Sequence, residues 1–177
     1  METVTIKDKM FSLSIPAAEI QTAISKLAEK LNHELVGKDP LFLVILNGSF
    51  MFAADLFKML TIPCEVSFVK LSSYRGTSST EVVKTMIGLS DDIKGRTIVV
   101  IEDIVDTGHT LEHLMKMLDE QQPADIKICT LLFKPNAYLK CIRIDYVGIE
   151  IPNDFIVGYG LDYDGFGRNL ADIYKIV

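Results

Sequence analysis

Three acids crowd into five residues of this chain: Glu102, Asp103 and Asp106. Like charges that close repel one another, so folding alone does not favour the arrangement, and a cation or a hydroxyl-rich ligand is expected among them. The next residues, Thr107, Gly108, His109 and Thr110, stand just before or at the start of a helix-like run. Unpaired backbone N–H groups and the positive end of the helix dipole favour an anion there. Glycine permits close backbone approach, and two threonine hydroxyls add hydrogen bonds, so the segment reads as a phosphate cradle. It is not a P-loop, and no dinucleotide-binding glycine fingerprint follows any strand. Carboxylates accept hydrogen bonds from a vicinal diol and can hold Mg²⁺ directly or through water. A phosphorylated ribose bound with magnesium therefore suits Glu102, Asp103 and residues 106–110 together.

Such residues need a frame that brings strand ends to one place. Ile20, Ile24, Leu27, Leu31 and Leu35 recur at three- and four-residue spacing, which predicts a helix from Pro16 to Leu35, with Pro16 at its first position and Gly37 as its stop. The apolar run Leu41 to Leu46 predicts a strand covered on both faces. Asn47 and Gly48 then turn the chain into a helix predicted over 49–60. Further strands are predicted over 64–71, 96–103, 125–133 and 146–151, and Leu111, Leu114, Met115 and Leu118 share a face of another helix. Residues 72–80, "SSYRGTSST", fit neither periodicity and read as a mobile loop. Short apolar strands alternating with helices imply an α/β fold with a parallel sheet, whose ligands bind beyond the carboxyl ends of the strands. Asn47-Gly48, the acidic turn and Lys134-Pro135 all fall at such ends.

The chain has 177 residues, 49% hydrophobic and 24% charged, which suits one folded domain and no disordered chain. Its net charge of -6 argues against a broad nucleic-acid surface. No apolar run has the length of a signal peptide or a membrane span, so a soluble, cytoplasmic protein is expected. Cys64, Cys129 and Cys141 are odd in number and widely spaced, and read as buried free thiols. His109 and His113, four apart, lack an evident third metal ligand and read as a solvated helix start.

The run "VVIEDIVDTGHTL" resembles the phosphoribosyl-pyrophosphate signature of the purine phosphoribosyltransferases. "LNGSFMFAADL", "SSYRGTSST", "LLFKP" and "IPNDFIVGYGLDYDGFGRNL" follow in the order and spacing of the hypoxanthine-guanine phosphoribosyltransferase family, over roughly residues 5–175. The resemblance implies a type I phosphoribosyltransferase fold, a parallel sheet with flanking helices and a small hood. The core would span about 36–140, and the hood would form from the N-terminal segment and about 141–177, within a single domain 1–177. It implies purine salvage: transfer of a phosphoribosyl group from phosphoribosyl pyrophosphate to a 6-oxopurine, hypoxanthine or guanine, with Mg²⁺ as cofactor and a homodimer or homotetramer as the assembly.

By the same resemblance, Glu102 and Asp103 engage the ribose hydroxyls and the metal, residues 106–110 hold the 5'-phosphate, and Asp106 exchanges a proton with the purine. Lys134 donates to the 6-oxo group, Phe155 stacks on the base, and the Ile156 backbone reads its exocyclic edge. Asp162 is implied as a second metal ligand, and Asn47, Gly48 and Arg168 as pyrophosphate contacts. Ser73 and Tyr74 match the loop that closes over the reacting centre. Asn47 departs from the family, which usually has lysine there, in a turn that often carries a cis peptide. A xanthine-preferring transferase and an RNA-binding regulator on the same fold are the alternatives; the acidic charge and the intact purine segment stand against the regulator.

Overall fold

A computed structural model describes residues 2–75, 81–89 and 91–177. The chain opens with a hairpin of β1 (Thr3–Ile6) and β2 (Lys9–Ile15), paired antiparallel. Helix α1 (Ala17–Glu34) follows, with Pro16 as its N-cap rather than its first turn, and buries Ile20, Ile24, Leu27 and Leu31 as their spacing predicts. Next come β3 (Leu41–Leu46), α2 (Phe50–Phe57), β4 (Glu65–Arg75), β5 (Glu81–Ile87), β6 (Thr97–Val105), α3 (His109–Asp119), β7 (Asp125–Phe133), β8 (Tyr146–Glu150), β9 (Ile156–Val157) and β10 (Ile173–Ile176).

Six strands form one sheet in the order β5-β4-β3-β6-β7-β8. All its neighbours pair parallel except β4 with β5. Successive strands step outward from β3 to β4 and then jump to the other side of β3 with β6. The order therefore reverses between β3 and β6, and a crevice opens outside their carboxyl ends. Helices α1 and α2 cover one face, burying Phe42, Val44, Val99, Ile101 and Leu131. Helix α3 covers the other, where Leu111, Leu114 and Leu118 meet Leu43, Ile98 and Val100. Each such fully buried aliphatic side chain contributes roughly 1.5–3 kcal/mol. A second sheet, β1-β2-β10-β9, packs a smaller cluster of Ile6, Phe11, Val157 and Tyr174.

Several expectations need correction. Strand β6 runs two residues past its predicted end at 103, to Val105, because Ile104 and Val105 keep pairing with Leu132 and Phe133 of β7. The predicted loop over 72–80 is strand as far as Arg75, paired with β5, so Ser73 and Tyr74 sit on an antiparallel ladder; the remainder of that loop, 76–80, lies outside the described residues. Helix α2 stops at Phe57, three residues short of the prediction. Of the three thiols only Cys129 is buried; Cys64 is partly exposed and Cys141 exposed. Among the described residues no helix is long and apolar enough to cross a membrane.

Candidate active site

Adjacent parallel strands β3, β6 and β7 deliver Asn47-Gly48, the acidic segment and Lys134 to one end of the sheet. Beyond β6 a cavity of about 250 Å³ is lined by residues 102–111. Gly108, the N-cap of α3, takes φ 84, a left-handed value that glycine adopts without steric cost. His109 Nδ1 and Thr107 Oγ1 lie 3.1 Å apart, so these side chains of the turn bond to one another. His109 and His113 form no metal cluster among the described residues.

A second cavity, about 320 Å³, shares Asp103, Ile104 and Asp106 with the first and adds Gly48, Lys134, Phe155, Ile156, Leu161, Asp162 and Arg168. The two form one cleft, with Asp103 and Asp106 at the junction. Lys134 is only 7% exposed, and its Nζ donates to Asp106 Oδ2 at 3.0 Å. Phe155 is 45% exposed, with its ring met edge-on by Tyr163 at 6.0 Å and tilted against Phe11. It is thus an open aromatic face rather than core. Ile156 is buried, and its backbone belongs to β9 against Lys175 of β10.

Burial dominates the electrostatics of the acids. It pushes the Glu102 carboxyl well above the usual range, Asp103 beside it raises it further, and the nearby Ser49 hydroxyl partly opposes the rise. Burial also lifts Asp103 to about 6, against the Ile104 amide, which donates to Asp103 Oδ1 at 2.9 Å, and against the charge of Arg168. Ser49 Oγ and Glu102 Oε2 are buried without a hydrogen-bond partner of good geometry. Ser49 is a site residue that the sequence did not single out; its position directly after the Asn47-Gly48 turn was the available signal.

The turn after β3 presses on Asp103. A Cβ at Gly48 would meet Asp103 Oδ2 at 1.6 Å, and a Cβ at Gly160 would meet the Gly48 carbonyl oxygen at 2.0 Å. Only glycine allows three layers to stack this closely. The Leu46–Asn47 peptide is cis. Arg168 is committed on two sides, with Nη2 on Asp162 Oδ1 and Nη1 on the Gly160 carbonyl oxygen, each at 2.6 Å. Asp162 also accepts the Gly165 amide at 2.6 Å, so both oxygens are engaged within its own loop. The structure thus brings Asn47-Gly48, Glu102, Asp103, residues 106–110, Lys134, Phe155, Ile156, Asp162 and Arg168 around one cleft.

A hard divalent cation suits this donor set. The buried Glu102 carboxyl, with its orphaned oxygen, and the Asp103 carboxyl beside it, on which Arg168 already acts, are what an oxygen-ligated ion would satisfy. Such an ion would keep water or substrate oxygens in its shell.

Known proteins resemble this chain in sequence and fold. The Streptococcus pneumoniae protein named hypoxanthine-guanine phosphoribosyltransferase is 44% identical over 156 residues, covering 88% of this chain and 87% of its own. The protein of that name from Mycobacterium tuberculosis is 40% identical over 169 residues, covering 92% and 84%. A crystal structure of a hypoxanthine phosphoribosyltransferase from Staphylococcus aureus superposes with a TM-score of 0.88 at 36% identity, covering 94% of this chain and 91% of that one. Residues 16–164, from the start of α1 through the acidic cleft to the loop of Asp162, match the phosphoribosyl transferase domain, and the chain belongs to that family.

Proposed function

We propose that the chain is a purine-salvage enzyme that joins hypoxanthine or guanine to phosphoribosyl pyrophosphate, yielding the nucleoside 5'-monophosphate and pyrophosphate. The names of its relatives support that activity. The observation that carries the assignment of roles is the Lys134–Asp106 pair, 3.0 Å apart at the junction between the phosphate cavity and the open face of Phe155.

In this reading residues 107–110 hold the 5'-phosphate on the amides that open α3, and Glu102 and Asp103 accept hydrogen bonds from the ribose hydroxyls. The base lies on Phe155, which gains stacking with any purine. Lys134, a donor with no accepting atom, selects a 6-oxo over a 6-amino group. The Asp106 carboxylate takes the proton from N7 as the N9 lone pair forms the bond to the anomeric carbon. The bond from that carbon to the pyrophosphate oxygen breaks, and the pyrophosphate carries away the electron pair. Asn47, Gly48 and Arg168 line the side of the cleft on which it departs. Glu102, Asp103 and, once released from Arg168, Asp162 would hold magnesium. When bound, magnesium supplies positive charge to the leaving pyrophosphate. The second sheet, which includes the N-terminal hairpin, and the segment after β8 act as the hood of the one domain, while β8 itself belongs to the core sheet.

The test is one assay: magnesium, phosphoribosyl pyrophosphate and each purine in turn, followed by absorbance. Turnover of hypoxanthine and guanine, with adenine inert, is expected. Turnover of xanthine alone, or of none of these bases, would overturn the assignment.

A further inference from the structure

The phosphate cradle has a back wall made by a segment that lies outside the cavity. Beyond β7, residues 134–142 fold over the β6–α3 turn. Lys134 N donates to the Val105 carbonyl at 3.0 Å, and Leu139 N donates to the Thr107 carbonyl at 3.2 Å. Between these clamps, the position that a Cβ of Gly108 would occupy is filled: Tyr138 Cε2 would lie 2.5 Å away and Lys140 Cγ 2.8 Å. Gly108 is therefore buried beneath one ring and one aliphatic stem, although it belongs to an exposed helix start.

The wall is itself fastened. The Tyr138 hydroxyl donates to the Ile142 carbonyl at 2.7 Å, and its ring stands edge-on to Phe133, the last residue of β7, at 5.4 Å. Lys140 Nζ reaches Glu112 Oε2 at 2.9 Å, which ties the segment to the first turn of α3. The amides at a helix start grip an anion well only if they are aimed before it arrives, since each freely rotating group must otherwise be ordered on binding. The left-handed Gly108 has the softest backbone of the cradle, and Tyr138 and Lys140 close the space into which it could swing.

Resting on the function proposed above, we infer that Tyr138 and the Lys140 stem are positioning residues that hold the 5'-phosphate loop in its binding shape before substrate enters. They touch neither substrate nor reacting atoms, so their work is seen in ground-state affinity for phosphate. Lys134 begins the same segment, so the base-reading cation and the wall behind the phosphate share one anchor.

The experiment compares Tyr138→Ala and Tyr138→Phe in the full chain, measuring KM for phosphoribosyl pyrophosphate, kcat, Tm, and the Kd of inorganic phosphate by calorimetry. Tyr138→Ala is expected to raise the KM and the phosphate Kd about tenfold while kcat stays within about threefold. Tyr138→Phe, which keeps the ring, is expected to restore both. Unchanged KM and Kd in Tyr138→Ala would overturn the inference; so would a parallel fall of kcat and Tm in both variants, which marks a merely structural role. Should Tyr138→Ala fail to fold, Lys140→Ala against Lys140→Met applies the same criteria, the methionine preserving the stem. If the unaltered protein turns over no purine, the proposed function fails on its own; if it does and the variants match it, only the wall is refuted.

Discussion

The acidic turn and the aromatic stretch 155–168 face each other across one cleft, yet they are held in different ways. From Glu102 to Thr110 the residues are contiguous, and backbone geometry places them: a strand laddered to β7, a left-handed glycine and a helix start. The facing stretch has only β9, two residues long, as regular structure. The rest is a run of turns closed by main-chain bonds within the stretch and to residues 170 and 176, with side chains of the N-terminal hairpin braced against its outer edge. Tyr163 donates its hydroxyl to Asp8 at 3.0 Å, Lys7 reaches Asp164 at 3.3 Å, and Arg168 closes on Asp162 and Gly160. One wall is laddered into the six-stranded sheet and the other is a run of turns braced by exposed side chains of the N-terminal hairpin, so phosphate binding should tolerate surface change better than base recognition does.

Four measurements break or sharpen that contrast. Asp106→Asn is expected to lower kcat by roughly 10²–10⁴ while phosphoribosyl pyrophosphate affinity stays within a fewfold, because the amide fills the same space but cannot accept the purine proton. Near-normal turnover would refute the role of Asp106. Lys134→Ala should raise KM for hypoxanthine and guanine by roughly 30- to 100-fold, the cost of an unmet buried hydrogen bond of about 2–3 kcal/mol. An unchanged KM for both bases would place the 6-oxo contact elsewhere.

Asp103 offers a test by pH. Its folded value, raised from 3.8 to about 6, means the native state holds that proton more tightly. The resulting stabilisation is full below about pH 3.8 and is lost as pH rises through about 6; at about 1.4 kcal/mol per unit it amounts to roughly 3 kcal/mol. Asp103→Asn should therefore gain on the unaltered protein between pH 4 and 7 in thermal melts without metal. Parallel pH–Tm curves would show that burial does not set this carboxyl. Smallest of all, Lys7→Ala removes an ion pair whose side chains are 40% and 63% exposed. It should cost less than about 0.5 kcal/mol in Tm-derived stability, and any effect on activity should fall on the KM of the base alone.

Legibility in the sequence follows the same divide. The bounds of β3 and β7 agree with the runs of Leu41 to Leu46 and Asp125 to Phe133, since strands buried on both faces need continuous apolar residues. That Glu102 to Thr110 line one cavity was legible because the residues are contiguous. The last two residues of β6, Ile104 and Val105, were not, because their place in the strand comes from pairing across to Leu132 and Phe133 rather than from the local run. The second sheet stayed hidden because β10 pairs with β2 from the other end of the chain, and β5 and the N-terminal hairpin because only short alternations mark them. Likewise no local pattern could reveal that Gly160 rests on the Gly48 carbonyl, or that Tyr138 fills the space behind Gly108.

The proposed floor for the purine, Phe155 and Ile156, hangs from β10. Ile176 N donates to the Phe155 carbonyl at 3.0 Å, and Lys175 pairs with Ile156. Clipping the polypeptide after Asp172 would thus unhook the stacking ring and its neighbour while the far bank, from Glu102 to Thr110, kept its ladder and helix. Such a shortened protein would still collect ribose phosphates but would be nearly blind to which nucleobase arrives, and a bulky fusion at that terminus would strain the same hinge of recognition.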